Sequence, residues 1–329
     1  MANQIINRML KLKTRPMMGN VSSENFELVE EEVRDIEDGE ILIKNLFLSF
    51  DPTQRGWLND VPSYIPPVKI GEIMRASSVG RVIESKNENF SIDDIVQGTF
   101  GWQEYAISGD EKGFMPPRKL PEGITPTSAL SIYGVTGLTA YFGMIDIGKP
   151  EKNNTVLISG AAGATGSVAG QIARIKGATN VIGIAGGSDK CKWVVEEAGF
   201  DSCIDYKNED VAKRVTELAP KGLDIYFDNV GGSILEIALG NIAQKARVVM
   251  CGGISSGYTM ERLAPGPSTV FNLIIQRGRM EGFIVLDYAE QFPHAIMELA
   301  GWVAEGKITY KEDIALSLIH ISEPTRPIA

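Results

Sequence analysis

The stretch Val156-Leu-Ile-Ser-Gly-Ala-Ala-Gly-Ala-Thr-Gly-Ser167 passes from an apolar, β-branched segment through a glycine-rich turn into residues of a new helix. Val156 to Ser159 reads as a strand and Ala164 to Lys176 as a helix, with Ala161-x-Gly163-x-x-Gly166 between them. That arrangement matches the dinucleotide fingerprint, with Ala161 where the first glycine usually stands. Gly163 lets the backbone approach a pyrophosphate, and Gly166 lets the helix sit close to the strand. The helix start at Ala164 offers unpaired N–H donors to the anion.

Beyond this unit the pattern repeats. Val181 to Ala185, Cys203 to Asp205, Leu223 to Phe227, Arg247 to Cys251 and Gly282 to Leu286 are apolar runs separated by helical stretches. Alternation of this kind predicts an α/β fold with a doubly wound parallel sheet of the Rossmann type. The next strand end bears on which dinucleotide binds. An NAD site usually places a carboxylate about 20 residues past the glycines, to hold both ribose hydroxyls. Here that point is Ala185-Gly-Gly-Ser-Asp-Lys190, whose strand ends in small residues. Lys190 can pair with a 2′-phosphate, with Ser188 and Tyr206 donating hydrogen bonds, so the expected cofactor is NADP(H). The same residues also suit a plainer arrangement, with Ser188 capping a helix, Lys190 in its first turn and Tyr206 in the core.

Upstream, the chain is rich in β-branched and turn residues: Glu40 to Ser49, Ser78 to Glu84 and Asp94 to Phe100 read as short strands separated by Asp-Pro, Pro-Pro and Gly signals. They predict an all-β, barrel-like unit. Downstream, Ala289 to Gly306 places Phe292, Ile296, Leu299, Ala300 and Val303 at helical spacing. The chain of 329 residues, 43% hydrophobic, is long enough for two domains.

Charge excludes some classes of function. A formal charge of -10 argues against a general nucleic-acid or anionic-membrane surface, both of which need a basic face. Nine carboxylates and a single Arg lie between Val21 and Glu40, which predicts a solvated face there. Cys191, Cys203 and Cys251 are too few and scattered for a disulfide framework, and no Cys-x-x-Cys pair is present. Arg8, Lys11, Lys13 and Arg15 interrupt any signal-peptide core in Met1 to Pro16. The long uncharged stretch from Asn153 to Ala173 holds four glycines and several polar residues, poor material for a membrane helix. A cytoplasmic protein is the expectation.

Several segments together carry a resemblance. Leu48-Ser-Phe-Asp-Pro-Thr-Gln-Arg-Gly56, Tyr133-Gly-Val-Thr-Gly-Leu-Thr-Ala-Tyr-Phe-Gly143, the Ala-x-Gly-x-x-Gly turn, Phe227-Asp-Asn-Val-Gly-Gly232 and Cys251-Gly-Gly-Ile-Ser255 follow one another in a telling order and spacing. From about Ile5 to Ile314 the chain resembles the zinc-independent medium-chain reductases, in the group of prostaglandin and leukotriene reductases, curcumin reductases and alkenal double-bond reductases. The resemblance implies a GroES-like, β-rich catalytic domain over residues 1–125, with 289–315 returning to it, and a Rossmann NADP-binding domain over 126–288. It implies NADPH-dependent reduction of a carbon–carbon double bond conjugated to a carbonyl, with hydride reaching the β-carbon and a proton the α-carbon. The expected partner is a small, apolar α,β-unsaturated carbonyl compound, not nucleic acid or membrane.

By the same resemblance Lys190 and Tyr206 hold the adenosine phosphate, Asn229 contacts the cofactor toward the nicotinamide, and Cys251 and Gly252 line the same crevice. Tyr258 matches a family Tyr that hydrogen-bonds the enone oxygen or donates a proton, help typically worth about 100- to 10,000-fold. The plainer alternative is a surface-loop aromatic. Two departures stand out: Gly257 is an extra residue ahead of Tyr258, and Thr53 replaces a Tyr common in the family. Asp51 and Arg55 suggest a strand-end turn joined to a domain-interface ion pair. Zinc-dependent relatives need Cys and His ligands in the first domain, whereas here no Cys precedes Cys191 and no His precedes His294. No metal is therefore expected.

Two readings of the periphery stay open. Pro265-Gly-Pro267 suits a substrate-covering loop or a plain helix start, and Gly282 to Leu286 suits a homodimer edge or a covered edge in a monomer. Residues 316–329, beginning Leu316-Ser-Leu-Ile-His320, resemble translated sequencing adapter and are expected to be non-native. Among other functions, a quinone reductase of the same superfamily and a non-catalytic NADPH-binding protein would share the glycine turn.

Overall fold

The structure, a computed structural model, describes residues 4–16, 21–110, 114–256 and 266–315. They divide into two compact units: one takes residues up to 131 together with 312–315, the other 132–256 and 266–311.

In the first unit β1 (Ile6–Leu12) pairs antiparallel with β2 (Phe26–Glu32). Beside this pair stand β3 (Glu40–Leu48), α1 (Thr53–Trp57), β4 (Ser78–Ser85), β5 (Ile95–Gly98), β6 (Tyr105–Gly109), β7 (Arg118–Lys119) and α2 (Pro126–Leu130). The five later strands form one antiparallel sheet in the order β6-β3-β4-β5-β7, and two register shifts in the β3–β4 pairing bend it. Ile41, Ile43, Val82, Phe90, Val96, Phe100 and Ala106 form a buried cluster against it. The three strands expected from sequence are present to within about two residues. The acidic run forms β2, whose carboxylates face water or pair with cations, as in Lys11–Glu31 at 2.6 Å. Glu40 is the exception: it is buried, and Arg34 holds it at 2.7 Å. At the start of α1 the Asp51 carbonyl accepts from the Gln54 N–H and its carboxylate from Ser49 Oγ, 2.8 Å away, so Asp51 builds the turn.

The second unit opens with α3 (Val135–Phe142) and continues as β8 (Thr155–Ser159), α4 (Ala164–Ile175), β9 (Asn180–Ala185), α5 (Ser188–Glu196), β10 (Ser202–Asp205) and α6 (Val211–Leu218). It ends with β11 (Leu223–Asp228), α7 (Gly232–Gly240), β12 (Ile242–Met250), α8 (Asn272–Gln276), β13 (Arg279–Gly282) and α9 (Phe292–Ala304). All six strands are parallel, in the order β10-β9-β8-β11-β12-β13. Both faces of the sheet are covered, because side chains along a strand point alternately to its two faces. Val156, Ile158, Ile225 and Phe227 meet α3, α4 and α9 on one face, whereas Leu157, Tyr226 and Val248 meet α6 and α7 on the other.

Two expectations from sequence are corrected here. Residues 289–311 stay with this unit: Ala295, Leu299 and Trp302 of α9 are buried in its core, and Trp302 stacks on Tyr141 at 6.0 Å. The sixth strand is Arg279–Gly282 and not Gly282 to Leu286. As the exposed edge of the sheet it carries polar residues, while Phe283, Val285 and Leu286 leave the strand and turn into the core.

Candidate functional site

The chain runs from β8 to its neighbour β9 on one side, and returns after β10 to place β11 on the other side of β8. This reversal opens a crevice beyond the carboxyl ends of β8 and β11, where ligands of such sheets bind. The turn after β8 is shaped by close contacts. Gly160 has φ of +62°, a left-handed conformation that suits glycine, and a Cβ on Gly166 would fall 2.3 Å from the Gly160 carbonyl oxygen. Helix α4 therefore lies directly on the turn, with Gly163 as its N-cap. The N–H groups of Ala164, Thr165 and Gly166 begin the helix without helical acceptors, which is an anion site in waiting. Ala161 is fully buried and donates its N–H to the Ile184 carbonyl at 3.0 Å. Its methyl is accommodated because β9 has Gly183 opposite, where a Cβ would come within 2.8 Å.

The second loop follows β9. Gly187 has φ of +99° and is the N-cap of α5, so Ser188 is the first helical residue and not a cap. Ser188 and Lys190 are exposed on the first turn. Tyr206 is 46% exposed, which excludes a core role, and its ring lies over Gly186, where a Cβ would stand 2.8 Å from it. Asp205 holds this loop: its carboxylate accepts from Gly187 N at 2.7 Å, Asn208 Nδ2 at 2.7 Å and Lys207 N at 3.1 Å. The Gly187 N–H first, and then the Asn208 amide, hold the Asp205 carboxyl below its ordinary range. Its lone pairs are directed at the protein's own loop.

The third and fourth loops are tied together by Asp228 at the end of β11, which is wholly buried. Its Oδ1 accepts from Tyr226 OH at 2.7 Å, Ser159 Oγ at 3.0 Å, Val230 N at 2.9 Å and Gly231 N at 2.8 Å. Its carbonyl oxygen accepts from both Cys251 N and Gly252 N at 2.9 Å. Asn229 completes the join, donating its N–H to Ser159 Oγ and its Nδ2 to the Ser159 carbonyl at 2.7 Å. Asp228 thus gathers the ends of β8 and β11 through its carboxylate and the end of β12 through its carbonyl oxygen. Its second oxygen, Oδ2, is buried with no hydrogen-bond partner among the described residues. A cavity of about 490 Å³ opens at the end of β12, lined by Met250, Cys251, Gly252, Gly282, Phe283 and Asp287 among others. Burial, reinforced by the negative charge of Asp228, pushes the Cys251 thiol up from 9.0 to about 12.

The structure brings Ala161, Gly163, Ala164, Gly166, Asn229, Cys251 and Gly252 to the crevice, and Ser188, Lys190 and Tyr206 to the neighbouring strand ends. Tyr258 and Gly257 lie outside the described residues, as do 316–329. Pro267 precedes a 3₁₀ turn, Ser268–Phe271, that runs into α8. Sequence reasoning missed the supporting groups Ser159, Asp205, Tyr226 and Asp228. The available signal was a carboxylate ending two strands, Cys203 to Asp205 and Leu223 to Asp228, within a sheet whose interior is otherwise apolar. Among the described residues no group of three or more His, Cys, Asp or Glu side chains could hold a metal ion, and no helix is long and apolar enough to cross a membrane.

Comparison with known proteins adds a family. Residues 8–116 match the pattern described as the N-terminal domain of oxidoreductase, and residues 164–301 the one described as zinc-binding dehydrogenase. The chain is 38% identical over 314 residues to the NADPH-dependent curcumin reductase of Escherichia coli (strain K12), covering 94% of this chain and 89% of that protein. It is 37% identical over 299 residues to prostaglandin reductase 1 of Bos taurus, covering 90% of this chain and 88% of that one. The crystal structure of CurA in complex with NADPH from Vibrio vulnificus superposes with a TM-score of 0.85 at 38% identity, over 93% of this chain and 90% of that one.

Proposed function

Because the chain belongs to the zinc-independent medium-chain dehydrogenase/reductase family, we propose that it uses NADPH to reduce the conjugated carbon–carbon double bond of α,β-unsaturated ketones or aldehydes. The observation that carries the cofactor reading is the crevice itself. Gly166 leaves α4 in contact with the turn, so that the first N–H groups of α4 can meet a pyrophosphate. The small residues Gly186 and Gly187 leave room beside Tyr206 and Lys190 for a phosphorylated ribose. Asp205, the nearby carboxylate, is directed at its own loop, which leaves Lys190 as the group to pair with a 2′-phosphate. Bound NADPH supplies the hydride that adds to the β-carbon.

The substrate reading rests on the relatives, whose names are those of curcumin and prostaglandin reductases. The apolar part of the cavity beside Cys251, with Met250 and Phe283, suits a small apolar carbonyl compound. Tyr258 is the proposed donor to the carbonyl oxygen or the α-carbon.

Purified protein should oxidise NADPH when given enones or enals, and much less with simple quinones. Tight NADPH binding without turnover of any enone or enal would overturn the reading. Tyr258→Phe should lower kcat by about 100-fold or more. Unchanged kcat would remove Tyr258 from the chemistry. Lys190→Ala should raise the KM for NADPH about tenfold and leave NADH unaffected, the loss of one charge-assisted contact. Equal losses for both cofactors would refute the 2′-phosphate assignment.

A further inference from the structure

Two of the three cysteines, far apart in a sequence reading, meet in the fold. Cys191 lies in the first turns of α5 and Cys203 in β10, and their Sγ atoms are 3.1 Å apart. Both residues are half-buried free thiols. Oxidative joining needs the sulfurs to close to about 2.05 Å, a movement of roughly 1 Å. The pair also brackets the loop described above. Cys191 donates its N–H to the Gly187 carbonyl at 3.1 Å, and it directly follows Lys190. Cys203 stands two residues before Asp205, whose carboxylate holds Gly187 N, and three before Tyr206.

We propose that Cys191 and Cys203 form a reversible thiol–disulfide pair, oxidised by hydroperoxides, that reshapes the loop from Gly186 to Lys190 and so weakens NADPH binding. In the first step the thiolate of Cys191 attacks the terminal oxygen of a hydroperoxide. The O–O bond breaks, an alcohol (or water, from hydrogen peroxide) leaves, and Cys191 becomes a sulfenic acid. Cys203 sulfur then displaces the sulfenic oxygen, forming the S–S bond and releasing water. Two thiols lose two electrons and two protons, and the peroxide is reduced by the same two electrons. A dithiol returns the pair by thiol–disulfide exchange.

Burial pushes both thiols above their ordinary range, most strongly Cys203, and Asp205 and Glu209 push in the same direction. The pair is therefore held as thiols at neutral pH, and its oxidation should be slow and should quicken as the pH rises. The link to the cofactor rests on the NADPH reading above; the cross-link itself does not.

The test treats the full chain with tert-butyl hydroperoxide, alkylates remaining thiols under denaturing conditions, and maps the peptides by mass. The expected product is a peptide joining Cys191 to Cys203, lighter by two hydrogens than its reduced parts, with Cys251 still alkylated. Dithiothreitol should restore two free thiols. Cys203→Ser should abolish the cross-link and divert Cys191 to its sulfinic acid under the same treatment. Both cysteines recovered alkylated, or each oxidised separately in the unsubstituted chain, would overturn the pairing. NADPH affinity, measured by fluorescence titration, should be about tenfold weaker in the cross-linked protein than in the reduced protein, and unchanged by peroxide in the Cys191→Ser variant. A cross-link that leaves NADPH affinity unchanged would overturn the coupling. Reduced protein that fails to bind NADPH would instead count against the proposed cofactor.

Discussion

Cys251 illustrates how a single residue is adapted to its surroundings. It lines the cavity in which an electrophilic enone is proposed to react, and an ordinary cysteine there would add to the same β-carbon that hydride attacks. Burial, with Asp228 adding its charge, raises the thiol to about 12, so that at neutral pH almost none is thiolate, the reactive form. Alkylation by iodoacetamide near neutral pH should be on the order of a thousandfold slower at Cys251 than at an exposed cysteine, and should accelerate as pH rises toward 12. Rapid labelling of Cys251 in the folded protein at neutral pH would show that the thiol is not shielded. Gly163, Gly166 and Ala161 were legible from spacing alone, because a turn against a helix start tolerates few side chains. Asp228, Ser159 and Tyr226 were not. Their importance comes from hydrogen bonds between strand ends some 70 positions apart, such as Ser159 with Asn229, and no local pattern records such a meeting.

At the scale of elements, the join between β8 and α4 is where space is tightest. Gly166→Ala would place a methyl carbon 2.3 Å from the Gly160 carbonyl oxygen, a backbone atom that cannot swing aside. Helix α4 would have to lift, at a cost of about 1–3 kcal/mol if the effect resembles other overpacked sites. The expected outcome is a lower urea midpoint together with weaker NADPH binding, read by equilibrium unfolding and by cofactor titration. Retention of both would mean that the turn has slack the contacts do not suggest. The strands of this sheet were readable because they are apolar on both faces. β13 was misplaced because an edge strand carries Arg279 and Glu281, and the apolar run beside it belongs to the core. β1 and β2 escaped notice for a related reason: the carboxylates of β2 hide its alternation, and only pairing with β1 makes it a strand.

For the whole molecule, cofactor selectivity should appear as stability. A ligand that binds only the folded state adds RT ln(1 + [L]/Kd), about 2.7 kcal/mol when its concentration is 100 times Kd. NADPH should therefore raise the unfolding temperature by several degrees, whereas the same concentration of NADH should raise it much less. Equal shifts would argue that Lys190 does not distinguish the two. The two-domain character and the Rossmann class followed from length and alternation. The allegiance of α9 did not, since helical spacing tells that a face is buried but not against which partner. Trp302 and Leu299 decide it by packing into the core of the sheet unit.

The carboxylate of Asp228 and the carbonyl oxygen of the same residue receive four backbone N–H groups, those of Val230, Gly231, Cys251 and Gly252. None of these protons can reach solvent unless the hydrogen bonds that converge on Asp228 open. In deuterated water the four amides should exchange slowly and with a common opening free energy, although they lie on two different loops. Four different opening free energies, after correction for intrinsic exchange, would show that the loops fluctuate separately. A common value would mark the floor of the crevice as one cooperative unit, opening or closing as a whole.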